Sequence, residues 1–126
     1  VAIAAMKAGA AQVVAADIDL FAADAMRLNA QANDVQLTVV SDDLIGRDDG
    51  WDTVLAGDIC YERAVAERVV AWLAGLALRG ATVLIGDPGR AYLPKSSLVK
   101  IATHTIAGTA YLEDRDATRT HVWTFP

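Results

Sequence analysis

The stretch "QVVAADIDLFAADAMRL", residues Gln12 to Leu28, decides how the chain is to be read. Its first five residues, Gln12 to Ala16, form a short apolar run, which predicts a buried strand. Asp17 ends the run at once. Asp19 then stands where a helix would be capped, and Phe21, Ala25, Met26 and Leu28 recur at helical spacing, which predicts an amphipathic helix from Leu20 to Ala32. Strand, acid and helix within so few residues is the unit from which sheets with helical crossovers are built.

The same order repeats outward from this unit. Upstream, Val1 to Ala8 is rich in alanine and favours a helix, with Gly9 as its stop. Downstream, Asn33-Asp34 breaks the helix and Val35 to Val40 is strand-like, ending at Ser41-Asp42-Asp43. After the polar loop "IGRDDG" come a strand from Trp51 to Ala56, a helix from Glu62 to Leu78 ended by Arg79-Gly80, and a strand from Ala81 to Ile85. "GDPGR", Gly86 to Arg90, is a turn, and Lys95 to Ala102 is expected to be a short helix. Thr103 to Leu112 and Thr118 to Phe125 alternate as an antiparallel pair around the charged turn "EDRDA". Strands that alternate with helices and lack polar alternation predict an α/β fold, with a mostly parallel sheet and a C-terminal antiparallel hairpin.

Composition narrows the function. The chain has 126 residues, which suits one domain, and 54% of them are apolar against 21% charged, so it should fold around a core. A net charge of −5 argues against a nucleic-acid backbone as the main partner but not against a basic protein. No apolar run approaches the ~18 residues that span a bilayer. With a single cysteine, Cys60, there is no internal disulfide, and a cytoplasmic location is expected, or the mitochondrial matrix if the source is eukaryotic. The first residues, "VAIAAMKAGA", open in mid-helix without a cap, and the natural protein is expected to extend further at its N-terminus.

Four strands end in an acidic residue: Asp17, Asp42 with Asp43, Asp58 and Asp87. In a parallel sheet these ends share the edge where ligands bind. Each aspartate alone can be a helix or turn cap, but four at one edge suggest a site. An acid after such a strand can accept from both ribose hydroxyls, and Asp17 fits that role. Asp42 or Asp43 could accept from the amine of adenine. A nucleoside cofactor follows, and the phosphate test limits which. No G-x-G-x-x-G turn is present for a dinucleotide, nor G-x-x-x-x-G-K-[ST], nor the G-x-S-x-G elbow of a serine hydrolase. His104 and His121 lie in the final hairpin away from any cysteine pair, and no metal site is expected.

The motifs then become specific. "MKAGAAQVVAADIDLFAADAMRLNAQAN" resembles the stretch after the glycine-rich loop of class I S-adenosylmethionine-dependent methyltransferases. "WDTVLAGDICYE" resembles the fourth strand of the protein-lysine methyltransferases that carry Asp-x-x-Tyr there. "VLIGDPGR" and "THVWTFP" are similar to one branch, the lysine methyltransferases acting on the β subunit of electron transfer flavoprotein. The resemblance covers essentially the whole chain and implies a Rossmann-like sheet, S-adenosylmethionine as cofactor and a protein substrate. It implies that Asp17 binds the ribose, Ile18 packs on the adenine, and Asp43, or else Asp42, takes the adenine amine with Leu44 beside it. Asp58 and Tyr61 would face the methyl-transfer site, and Asp87 and Arg90, in "GDPGR", the rim where substrate arrives. The family's first strand and Gly-x-Gly-x-Gly loop precede the helix that Val1 to Ala8 matches and are not in this sequence, so the fragment alone is expected to bind cofactor weakly or not at all. Two other readings stay open on the residues: a non-catalytic interaction module of the same fold, and a small-molecule methyltransferase.

Overall fold

A computed structural model of the chain describes residues 1–106 and 118–126. The chain divides into two compact units, Val1–Ile45 and Gly46–Pro126. The expected turn "EDRDA" and the end of the strand before it lie outside the described residues.

The first unit contains α1 (Ala2–Lys7), β1 (Val14–Ala16), α2 (Leu20–Ala32) and β2 (Thr38–Val40). β1 and β2 pair in parallel, with Val14 opposite Thr38 and Ala16 opposite Val40. The crossover is α2, as the spacing of Gln12–Leu28 predicts. Asp19 caps it, its side chain accepting from the Phe21 N–H. At the other end the Asn33 amide and Asp34, in a left-handed turn, terminate it. α1 ends at Ala8, and Gly9, at a φ of +99°, supplies the left-handed residue that follows. The Lys7 ammonium donates to the Asn33 side chain at 2.7 Å, tying the two helix ends together.

The second unit contains β3 (Thr53–Gly57), α3 (Arg63–Leu78), β4 (Thr82–Asp87), a single 3-10 turn (Lys95–Ser97), β5 (Val99–Ile106) and β6 (Thr118–Thr124). Its sheet has the order β3-β4-β6-β5. β3 and β4 are parallel, while β4–β6 and β6–β5 are antiparallel. The parallel pairs and the closing hairpin match the sequence reading, but the strands divide between two sheets instead of one.

Burial follows periodicity. On α3, Ala66, Val69, Leu73 and Leu76 are buried at spacings of three and four, and this face packs on β4. On β4 the buried residues are Val83, Ile85 and Asp87, every second position. The loop before β3 is pinned to α3: the Trp72 indole donates to the Arg47 carbonyl at 2.7 Å, Arg79 donates to the Trp51 carbonyl at 2.8 Å, and Arg79 also pairs with Asp48. Trp51 meets Trp72 edge to face, with ring centres 6.2 Å apart.

The expected helix from Lys95 to Ala102 is not formed. Only one 3-10 turn precedes a strand that begins at Val99. Val99, Ile101, Thr103 and Thr105 are β-branched at every second position, a pattern that suits a pleated strand better than a helix. Pairing with β6 then fixes it, with Thr103 opposite His121.

Candidate active site

The parallel register places the acidic residues. In the first unit Ala16 faces Val40, so Asp17 and the run Ser41-Asp42-Asp43 leave the same end of the pair. The Asp17 N–H still donates to the Val40 carbonyl at 3.2 Å, which keeps the strand ends together for one further residue. One Asp17 carboxylate oxygen, Oδ1, accepts from the Asp19 N–H at 2.9 Å, fixing the side chain over the turn into α2. Ile18 projects outward and is 72% exposed. Asp42 and Asp43 are exposed, and Leu44 is half-buried. The Asp43 Oδ1 accepts from the Ile45 N–H at 2.9 Å, so Asp43 shapes its own turn whatever else it does.

In the second unit Gly57 faces Gly86, so Asp58 and Asp87 follow adjacent parallel strands at the same end. Two Gly-Asp pairs, 29 residues apart in sequence, thus become neighbours in space. Their environments differ sharply. Asp87 lies on the inward face with Val83 and Ile85 and is only 1% exposed. Burying a carboxylate is costly without hydrogen bonds. Asp87 Oδ1 accepts two, from the Gly89 N–H at 2.6 Å and the Arg90 N–H at 2.8 Å. The other oxygen, Oδ2, is buried without a hydrogen-bond partner among the described residues. The turn these bonds close needs a left-handed residue, and Gly89 supplies it at a φ of +106°.

That turn aims Arg90 at Asp58. Arg90 Nε donates to Asp58 Oδ1 at 2.6 Å and Arg90 Nη2 to Oδ2 at 2.7 Å, a two-pronged fork. The guanidinium goes to Asp58, while Asp87 holds the Arg90 backbone. Hydrogen bonding from Arg90 holds the Asp58 carboxyl below the usual carboxylate range, outweighing the opposing effect of burial. Asp58 occupies the left-handed region at a φ of +51°, and its N–H donates to the Gly86 carbonyl at 2.8 Å.

The alternative in which Asp58 caps the next helix does not hold. Glu62 is the N-cap of α3, and no side chain caps it. Between them Cys60 turns inward and is fully buried, while Tyr61 turns outward and is 63% exposed. Burial pushes the Cys60 thiol up, and the negative charges of Asp87 and Asp58 add to this. His121 Nδ1 sits 2.9 Å from the Thr103 hydroxyl within the hairpin.

The structure thus assembles the sequence-derived residues into two sets. Asp17, Ile18, Asp42, Asp43 and Leu44 gather at one end of β1–β2, and Asp58, Tyr61, Asp87 and Arg90 at one end of β3–β4. The Arg90–Asp58 fork was missed, because it joins residues 32 apart. The signal for it was present in the paired Gly-Asp endings, which place a residue just after the second within reach of the first once the strands are parallel.

A family model described as ribosomal protein L11 methyltransferase (PrmA) matches residues 1–62. The electron transfer flavoprotein beta subunit lysine methyltransferase of Danio rerio is 39% identical over 98% of this chain, that of Xenopus laevis 35% over 98%, and that of Homo sapiens 32% over 98%. The alignments cover 51%, 53% and 50% of those proteins, so the chain spans about half the length of the curated relatives it matches. Among solved structures, magnesium protoporphyrin IX methyltransferase from Synechocystis PCC 6803 with bound SAH superposes with a TM-score of 0.65 at 19% identity, covering 99% of this chain and 68% of that one. The chain therefore shares its fold with that methyltransferase structure, and its sequence is similar to about half the length of each of these lysine methyltransferases.

Proposed function

We propose that the chain forms part of an S-adenosylmethionine-dependent protein-lysine N-methyltransferase whose substrate is the β subunit of electron transfer flavoprotein. The observation that carries this reading is the match to lysine methyltransferases of that name across 98% of the chain. The geometry supports it through the placement of two functional sets at strand ends. A reducing compartment, cytoplasm or mitochondrial matrix, suits a chain whose single cysteine is a buried free thiol.

The residues at the end of β1–β2 fit a nucleoside. Asp17 Oδ1 is engaged by the Asp19 N–H, which orients the carboxylate while the group remains exposed to accept from ribose hydroxyls. Ile18 offers an uncovered aliphatic face for the adenine ring, and Asp43, followed in sequence by Leu44, or else Asp42, an acceptor for the adenine amine. When bound, S-adenosylmethionine would supply an electrophilic methyl on a cationic sulfur, for in-line displacement by the substrate nitrogen with a neutral thioether as leaving group.

The task left to the chain is to present a neutral lysine amine. With a reference pKa of about 10.4, roughly one lysine amine in a few thousand is neutral at pH 7. Asp58 accepts a hydrogen bond from the amine and so orients its lone pair. Its depressed proton affinity makes it a positioner; the proton leaves to solvent. Tyr61, exposed beside it, places its ring and hydroxyl against the same nitrogen. Asp87 and Arg90 form the rim.

The test is methyl transfer from labelled S-adenosylmethionine to purified β subunit by the full-length protein. Asp17→Ala should weaken S-adenosylhomocysteine binding about 10–100-fold, the loss expected for hydrogen bonds to a charged acceptor. Asp58→Asn should leave that binding intact and lower kcat at least tenfold. Unchanged kcat in Asp58→Asn would remove Asp58 from the site, and no transfer by the unaltered protein would remove the reading.

A further inference from the structure

The Arg90–Asp58 fork has a chemical problem built into it. A carboxylate beside a lysine side chain ordinarily stabilises the charged ammonium, the form that cannot accept a methyl group. An unpaired Asp58 would therefore hold the substrate firmly in its unreactive state. Arg90 stands where it prevents this. Both of its donating nitrogens are on the two Asp58 oxygens, at 2.6 and 2.7 Å. Its backbone is fixed from below by a carboxylate that is itself almost wholly buried, Asp87, through bonds to the Gly89 and Arg90 N–H groups. Asp58 is held from the other side by its left-handed backbone and its bond to the Gly86 carbonyl.

We propose that Arg90 is a positioning residue that neutralises Asp58, so that the carboxylate can orient a lysine amine without retaining it as an ammonium. Resting on the lysine methyltransferase reading, this assigns to Arg90 a task at the same site. A carboxylate has about four acceptor positions, so Asp58 can keep the fork and still accept from a substrate N–H. The fixed guanidinium also disfavours a second positive charge beside it. Arginine suits the task because its charge is permanent and its fork matches a carboxylate, whereas lysine offers only a point charge. The other titratable groups near Asp58 are Asp87, Cys60 and Tyr61. Asp87 is engaged with the turn, burial pushes the Cys60 thiol up, and Tyr61 is exposed.

The experiment compares Arg90→Gln and Arg90→Lys with the unaltered full-length protein. In Arg90→Gln the Asp58 carboxylate stands alone. At pH 7.5 kcat should fall at least tenfold, KM for the protein substrate should stay the same or fall, and most of the lost rate should return by pH 9.5. Arg90→Lys should retain more activity than Arg90→Gln. S-Adenosylhomocysteine affinity should not move, and the unfolding midpoint should fall only slightly, because both side chains of the pair are nearly half exposed. A role confined to shape would lower the rate equally at both pH values, and that result, or an unchanged kcat, overturns the proposal. A separate readout needs no turnover: the Asp58 side-chain carbon, followed by NMR, should titrate at higher pH in Arg90→Gln than in the unaltered protein. Equal midpoints overturn the proposal. If the unaltered protein transfers no methyl group while the midpoints differ, the lysine methyltransferase reading falls and the fork itself stands.

Discussion

Leu73→Ala is the sharpest test of how the second unit is built. Leu73 is on α3 and 0% exposed, sharing its buried face with Ala66, Val69 and Leu76, while Leu78 on the same helix is 90% exposed. Replacing a fully enclosed leucine by alanine removes its transfer free energy and leaves a cavity, together costing about 2.7–5 kcal/mol. The same change at Leu78 removes no enclosed contact and should shift stability by less than about 0.5 kcal/mol. Both variants gain the same slight helix preference of alanine, so the difference between them isolates burial. A loss of this size lowers Tm by roughly 10–40 °C in a unit of this length. All three tryptophans, Trp51, Trp72 and Trp123, lie in this unit, so their fluorescence in urea follows its unfolding directly. The midpoint should fall in Leu73→Ala with little change in slope. A loss under about 1 kcal/mol at Leu73, or an equal loss at Leu78, would refute the assignment of the buried face.

Cys60 should resist alkylation in the native protein, since burial and the charges of Asp87 and Asp58 keep its thiol protonated, and react promptly in denaturant; mass spectrometry of iodoacetamide adducts checks this. Acid should expose the Asp58–Arg90 pair. Asp58 titrates lower in the folded state than unfolded, so its contribution is present above the unfolded carboxylate value, about 3.9, and is lost as pH falls through the lower folded value. Urea midpoints of Arg90→Gln and the unaltered protein should therefore keep a constant gap from pH 7 down to about pH 5 and converge only in stronger acid. The gap should be small, because both side chains are nearly half exposed; convergence between pH 5 and 7 would contradict the assignment.

Much of this was legible from local rules. Asp19 declares the start of α2 because a short side-chain acceptor before an apolar helix has one natural use, and it makes the expected bond. The parallel pairs follow from the crossovers, since a parallel partner cannot be reached by a tight turn. The strand at Val99 was misread for a physical reason: its side-chain alternation is β-like, but the decisive information is the partner β6 some twenty residues later. Asp58 illustrates the limit at the site. Its position at a strand end could be read from "LAGD", but its state depends on Arg90, delivered by a turn that Asp87 organises from the protein interior. Sequence shows each aspartate equally; burial separates the one that builds the turn from the one that meets solvent.

The left-handed backbone at position 58 limits the chemistry available there. A φ of +51° admits aspartate, asparagine and glycine with little strain, and it penalises longer or branched side chains. Variation at this position thus has a very short menu: a carboxylate, its neutral amide, or no side chain. Glutamate, the obvious chemical substitute for an acid, is penalised by the main chain before its reach is ever tested. Any lineage or engineering programme that moves the acceptor closer to an incoming amine would have to remodel the turn after β3 as well as the residue it carries.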